Sequence, residues 1–197
     1  MSAAVRYFTD PACPPDPAWL RLRWRYGDQV AWELRMIVLR PDRADPWPQR
    51  EHDATIHACR AVVAAGLRWR DRQVLFLRRL QMLAEAGEML DDSDTLEMAA
   101  AQAGLPVAEL AAYCAEPEVE AALRADIELA AGRRCGEIDG AIDGLTPRSD
   151  AAGAEEVLRW AGMPLTTAEI AAVCGRQLDE AGLSDLARAD ARYWTSA

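Results

Sequence analysis

The sequence predicts an α/β chain that is mostly helical. Its strands lie at the front, an all-helical stretch fills the middle, and a helical segment forms the tail. Three observations predict this. Residues 5–9 and 30–39 are β-prone runs, the second alternating Val30, Trp32, Leu34, Met36 and Val38 against Glu33 and Arg35. From residue 51 to about 132 the apolar residues recur at helical spacing. Beyond residue 153 come helix caps and glycine stops.

The first strand closes at Asp10-Pro11, and Pro14, Pro15 and Pro17 follow. Proline cannot donate to a ladder, so this is a loop leading into a helix start. Residues 18–26 can be read two ways. Leu20, Leu22, Trp24 and Tyr26 alternate like a strand, whereas Asp16-Pro17 is a good helix start. Residues 40–50 hold three prolines and read as a linker. In the helical stretch, Ile56, Cys59, Val62 and Val63 form one apolar stripe, and Val74, Leu77, Leu80 and Leu83 another. Ser93 or Asp94 is expected to cap the helix over 95–103, and Pro106 and Pro117 to open the next two. Residues 132–153 are rich in Gly and Asp and read as a loop. Helices are predicted at 154–160, 167–174 and 178–191, then a short strand at Tyr193-Trp194-Thr195. This divides the chain into residues 1–45 (front of the core), 51–131 (helical insertion), 132–153 (loop) and 154–197 (helical segment completing the core).

Composition narrows the function. There are 32 acidic and 22 basic residues, a net charge of -10, and every basic residue is Arg. An acidic surface repels phosphate backbones, so nucleic acid is not the expected partner. The absence of lysine excludes a lysine Schiff base or P-loop chemistry. No apolar run is long enough to span a membrane, and the first ten residues lack a secretory pattern. The cytoplasm is therefore the expected compartment. There an odd set of cysteines, Cys13, Cys59, Cys114, Cys135 and Cys174, argues against a structural disulfide framework.

A family resemblance rests on three segments in order. RYFTDPACPPDPAWLRLRWRYGDQVAWELRMIVL resembles the opening β-α-β unit of DsbA-type thioredoxin-fold proteins, in the FrnE-like branch. MLDDSDTLEMAAAQAGL and PEVEAALRADIELA are similar to that family's inserted helices, and EEVLRWAGMPLTTAEIAAVCG with the closing RYWT to the tail of its actinobacterial members. The resemblance implies a reduced thioredoxin-like core, a helical lid and a redox thiol, Cys13, at the first helix. A thiol at a helix N-terminus has a lowered pKa, and a second cysteine three residues on would resolve the mixed disulfide.

Two departures follow. The motif reads Cys13-Pro14-Pro15-Asp16, so Asp16 stands where the resolving thiol is expected. A carboxylate closes no disulfide, and near Cys13 it would raise the thiol pKa. Asp16 is better read as the N-cap before Pro17. Further, the family places two more strands, one preceded by a cis-proline lying against the cysteine, before its tail. Residues 132–153 are too short for these, and Thr146-Pro147 is the one candidate cis-proline. The sheet is then expected to keep two or three strands with an exposed edge, which favours a homodimer.

Other constellations weigh toward structural roles. His52, Asp53, His57 and Cys59 do not share one face, so no metal is expected. The arginines around Trp69 (Arg68, Arg70, Arg72, Arg78, Arg79) are expected to pair with Asp91, Asp92 and Asp94. Residues 164–191 look like a helix-turn-helix, but the second helix is acidic and is read as packing. Trp47 is placed over a cleft between core and lid. The candidate site is thus Cys13 as the catalytic thiol, with Pro14, Asp16, Trp47 and His57 as substrate contacts. No cofactor is implied.

Three function classes stand open. The first is a divergent DsbA-like protein acting through one thiol, on a small molecule or a low-molecular-weight thiol. The second is a non-redox isomerase, transferase or cyclase-like enzyme of secondary metabolism. The third is a catalytically silent dimeric interaction protein.

Overall fold

The computed structural model describes residues 3–38, 48–179, 183–184, 186–190 and 192–196, and their side chains except at 3, 28 and 48–54. The elements are β1 (Ala3–Thr9), α1 (Pro17–Tyr26), a 3-10 turn (Gly27–Gln29), β2 (Val30–Met36), α2 (Pro48–Arg68), α3 (Gln73–Glu85), α4 (Ser93–Gln102), α5 (Val107–Tyr113) and α6 (Pro117–Leu129). They continue with β3 (Ile138–Asp139), α7 (Ala154–Ala161), β4 (Leu165–Thr166), α8 (Thr167–Cys174), β5 (Ala187–Asp190) and β6 (Tyr193–Thr195). One sheet has the order β2-β1-β3 and the other β4-β6-β5. The chain resolves into two compact units, one of Met1–Tyr7, Pro15–Glu33 and Ile138–Ala197, the other of Phe8–Pro14 and Leu34–Glu137.

The second unit is dominated by helices α2 to α6. Its core is built from Cys59, Val62, Val63, Phe76, Leu77, Leu80, Ala99, Leu110, Val119 and Leu123, with Ile56 and Leu83 packed at its edge. The first predicted stripe therefore faces inward, and so does the second except at Val74, which is half-buried outside this core. The cap of α4 is Asp92 rather than Ser93 or Asp94, its carboxylate accepting from Asp94 N at 3.1 Å. Asp126 on α6 is buried beneath β2, accepting from Met36 N and from Arg35 Nη1, each at 3.0 Å. Arg68 lies over Trp69 and Tyr113, and Arg72 meets Asp71.

In the first unit, α1 resolves the ambiguity of residues 18–26. Asp16 Oδ1 accepts from Ala18 N at 2.8 Å and Pro17 takes the first helical position, so the cap outweighs the strand-like alternation. Trp19, Leu20 and Trp24 are its buried face, packed against α8. The loop 132–153 does contain a strand. β3 pairs antiparallel with β1, Arg6 opposite Asp139 and Tyr7 opposite Ile138. Gly140 follows at φ +142°, and a Cβ there would meet Ala4 O at 2.5 Å, so only glycine permits this close approach. Gln29 anchors the rest of the loop through Thr146, at 2.8 and 3.3 Å. No peptide bond among the described residues is cis, Thr146-Pro147 included.

The tail corrects another expectation. The helix predicted over 178–191 is not formed among the described residues. Ala187–Asp190 is a strand, paired antiparallel with β6, and the helix-turn-helix reading falls with it. Acidic residues interrupt any apolar stripe there, whereas Tyr193 and Trp194 offer a buried strand to pair with. Helix α8 is held by a capping box. Thr166 Oγ1 accepts from Glu169 N at 3.3 Å, and the Glu169 carboxylate accepts from Thr166 N at 2.9 Å. Thr166→Ala is expected to lower stability by about 1 kcal/mol. Urea unfolding checks this, and an unchanged midpoint would contradict it. Among the described residues no helix is long and apolar enough to cross a membrane.

Candidate functional site

Strand β1 ends at Thr9 and delivers the chain into a tight turn. The Asp10 carboxylate accepts from Ala12 N at 2.7 Å, and the Asp10 carbonyl accepts from Cys13 N at 2.9 Å. Asp10 is fully buried and Cys13 is 4% exposed. An Asx turn of this kind competes well with regular structure because the side chain replaces a backbone acceptor.

A second turn comes from the end of α6. Arg133 N donates to Ala130 O at 2.9 Å, and Glu137 N donates to Arg134 O at 3.1 Å. The Glu137 carboxylate accepts from Arg133 Nη1 at 2.6 Å and from Arg134 N at 3.1 Å. These bonds, the backbone donor of Arg134 first, hold its pKa below the usual carboxylate range. Arg133 lies over the ring of Phe8, and Phe8 exchanges two backbone hydrogen bonds with this turn, each 2.9 Å. At the apex sits Cys135.

Cys13 and Cys135 form a disulfide, their Cα atoms 6.6 Å apart and 122 residues apart in sequence. Cys13 thus has a sulfur partner outside its own motif, which the reading of a protein acting through one thiol did not include. The partner lies not three residues on, where Asp16 stands, but after the helical insertion. The odd set of cysteines, expected to form no structural disulfide framework, holds this one bond. Two pair, and Cys59, Cys114 and Cys174 are free. Cys135 lies three residues before β3 and against Cys13, the place in which the family resemblance puts its cis-proline.

Beneath the disulfide a further thiol is held. Cys59 of α2 is fully buried and donates to Asp10 Oδ2 at 3.5 Å. Burial first, and the Asp10 charge second, push its pKa well above that of an ordinary thiol. Cys59 therefore stays protonated and is a poor nucleophile. The Thr9 hydroxyl lies 3.9 Å from Cys135 Sγ, placed to donate to that sulfur when it carries charge. Cys114 and Cys174 also have raised pKa values, chiefly from burial.

Because the folded chain holds the Cys59 proton more tightly than the unfolded one, its contribution to stability is fully present below about pH 8.5. It is lost as pH rises toward the raised value. Stability is expected to decline between pH 8.5 and 10, and Cys59→Ala to flatten that decline. Urea unfolding across this range checks it, and equal slopes in the two proteins would refute it.

The other sequence candidates are placed as follows. Pro14 is exposed beside Cys13. Asp16 serves as the α1 cap, and Cys13 precedes that cap by three residues rather than occupying the helix N-terminus itself. Trp47 lies outside the described residues. His57, on α2, is exposed and lines a cavity of about 320 Å³ with Arg60, Leu96, Leu110 and Cys114. Cys13 and Pro14 thus belong to the disulfide site, while His57 belongs to a separate cavity of the helical unit. Cys135, Asp10 and Thr9 were missed. The usable signal was that Cys135 is the one cysteine between the helical insertion and the tail. Among the described residues no three His, Cys, Asp or Glu side chains converge as a metal site would require.

The small sheet and the helical insertion between β2 and β3 are the architecture of a thioredoxin-like fold. No protein-family model matches the sequence, and no curated protein matches it significantly. Solved structures do share the fold. A candidate protein disulfide isomerase from Nitrosomonas europaea superposes with a TM-score of 0.58 at 14% identity, over 81% of this chain and 95% of that one. The oxidoreductase NmDsbA1 from N. meningitidis gives 0.51 at 14% identity, over 76% and 75%. An oxidised variant of DsbA1 gives 0.52 at 12% identity, over 88% and 83%.

Proposed function

We propose that the protein is a thiol–disulfide oxidoreductase whose redox pair is Cys13 and Cys135. The observation that carries this is the disulfide between the cysteine that follows β1 and the one at the apex of the α6–β3 turn. Cys135 is half-buried and Cys13 almost wholly buried, so a substrate thiolate meets the Cys135 sulfur first. The substrate S–Cys135 bond forms as the Cys135–Cys13 bond breaks, and Cys13 leaves as a thiolate that takes a proton from water. A second substrate thiolate then attacks the substrate sulfur of the mixed disulfide. The substrate disulfide forms, and Cys135 departs as a thiolate that is protonated in turn. The substrate dithiol has lost two electrons and the protein pair has gained them.

The test compares the wild type with Cys13→Ser and Cys135→Ser in oxidation of a dithiol peptide. Both variants are expected to lose two-thiol exchange by at least about a hundredfold. Full turnover by Cys135→Ser would overturn the pair and leave Cys13 acting alone. Pro14, exposed at the site, is the residue placed to touch an incoming substrate.

A second reading is favoured by one observation, the apolar cavity beside His57. Pockets of this size accept small molecules. A small-molecule activity lodged there would survive Cys13→Ser and fail in a variant that fills the cavity, such as Ala111→Phe.

A further inference from the structure

The two sulfurs of the disulfide have unequal surroundings. A reactive thiol is ordinarily held by the free N–H groups of a helix start. Cys13 lacks that device. It stands three residues before the cap of α1, and its own N–H donates to the Asp10 carbonyl at 2.9 Å. On the Cys135 side, the two N–H groups that follow the sulfur are taken as well. Gly136 N donates to Phe8 O at 2.9 Å, and Glu137 N to Arg134 O at 3.1 Å. The nearby Arg133 cation lies over Phe8 and pairs with Glu137. One side-chain hydroxyl does reach the pair, that of Thr9, 3.9 Å from Cys135 Sγ.

Thr9 is the last residue of β1 and is fully buried. Its backbone carbonyl accepts from Ile37 N at 2.8 Å. Among the described residues its hydroxyl meets no partner other than the Cys135 sulfur. A buried hydroxyl without a good partner is costly. In the disulfide that sulfur carries no proton and is a weak acceptor. Reduction improves the contact whichever way Cys135 is protonated. A thiol donates to the hydroxyl oxygen, and a thiolate accepts a charge-assisted bond from the O–H.

We propose that Thr9 is a further catalytic residue of this site: its hydroxyl stabilises the reduced Cys135 sulfur and makes the disulfide a stronger oxidant. The inference rests on the reading of Cys13 and Cys135 as a redox pair. Thr9 acts at the second step of the exchange, in which the substrate disulfide forms and the bond between Cys135 and the substrate sulfur breaks. The electron pair of that bond stays on Cys135, and the hydroxyl donates to the sulfur as the charge develops. The first step leaves its charge on Cys13 and does not need Thr9.

The test is the equilibrium of the pair with glutathione, in which the protein disulfide takes two electrons from two glutathione thiols and glutathione disulfide is formed. Alkylation followed by mass spectrometry reads the reduced fraction at Cys13 and Cys135. Thr9→Val keeps the shape of the side chain and loses the hydroxyl. It is expected to lower the equilibrium constant for reduction roughly tenfold, a fall of about 30 mV in potential. Thr9→Ala should move the potential the same way. Thr9→Ser keeps the hydroxyl and should stay within about threefold of the wild type. An unchanged potential in Thr9→Val, or equal shifts in Thr9→Val and Thr9→Ser, would overturn the role of the hydroxyl. The redox reading fails on a different result, a wild type that equilibrates with glutathione yet oxidises no dithiol peptide, and the Thr9 shift would still be read.

Discussion

Cys135→Ser is expected to lower the unfolding free energy by about 4–5 kcal/mol, the largest single-residue effect in the chain. The bond closes a loop of 122 residues, and the conformational freedom it removes from the unfolded chain grows with loop length. In a protein of this size the loss corresponds to a fall in Tm of about 10–20 °C. Reducing the wild type should produce the same loss, and the variant should not respond to reductant. The measurement is urea unfolding of both proteins with and without dithiothreitol. Equal stability of oxidised and reduced wild type would remove the disulfide from the structural argument.

Asp10→Ala comes second, at about 3 kcal/mol. Asp10 is fully buried, and its carboxylate accepts from Ala12 N and from the Cys59 thiol. Truncation leaves both without this acceptor, and each buried orphan costs about 1–3 kcal/mol. The consequence reaches the redox pair as well, because the same residue sets the turn that presents Cys13. Asp10→Asn retains one acceptor oxygen and is expected to cost about half as much. Unfolding midpoints of the two variants test the order. A smaller loss in Asp10→Ala than in Asp10→Asn would show that the carboxylate is not the organiser of the turn.

These two residues also show where the sequence was readable and where it was not. Asp10 and Cys13 lie in one short segment, so their neighbourhood was visible, although the role of Asp10 was not. Residues 18–26 offered both a strand alternation and a helix cap, and the cap prevailed because Asp16 satisfies a backbone donor that nothing else would reach. The helical insertion was legible throughout, since an amphipathic stripe repeats many times over a long stretch. Cys135 was hidden for the opposite reason. Its partner is 122 residues away, and no local pattern records a contact of that span. β3 was hidden because two residues carry no period, and its existence depends on β1 offering a pairing edge. The tail misled because residues 186–191 have helix-forming side chains, while the buried aromatic strand Tyr193–Thr195 supplies a stronger tertiary demand.

The long reach of the disulfide also imposes an order on the birth of the molecule. Cys13 leaves the ribosome before Cys135, which follows only after the whole helical insertion has been synthesised, a delay on the order of 10 s at ordinary elongation rates. During that interval the nascent chain presents an unpartnered sulfur to every oxidant and neighbouring cysteine it meets. Correct pairing therefore reports that the insertion has collapsed and brought its far end home. A ribosome stalled before residue 135 would hold a polypeptide open to mispairing with Cys59 or with another chain.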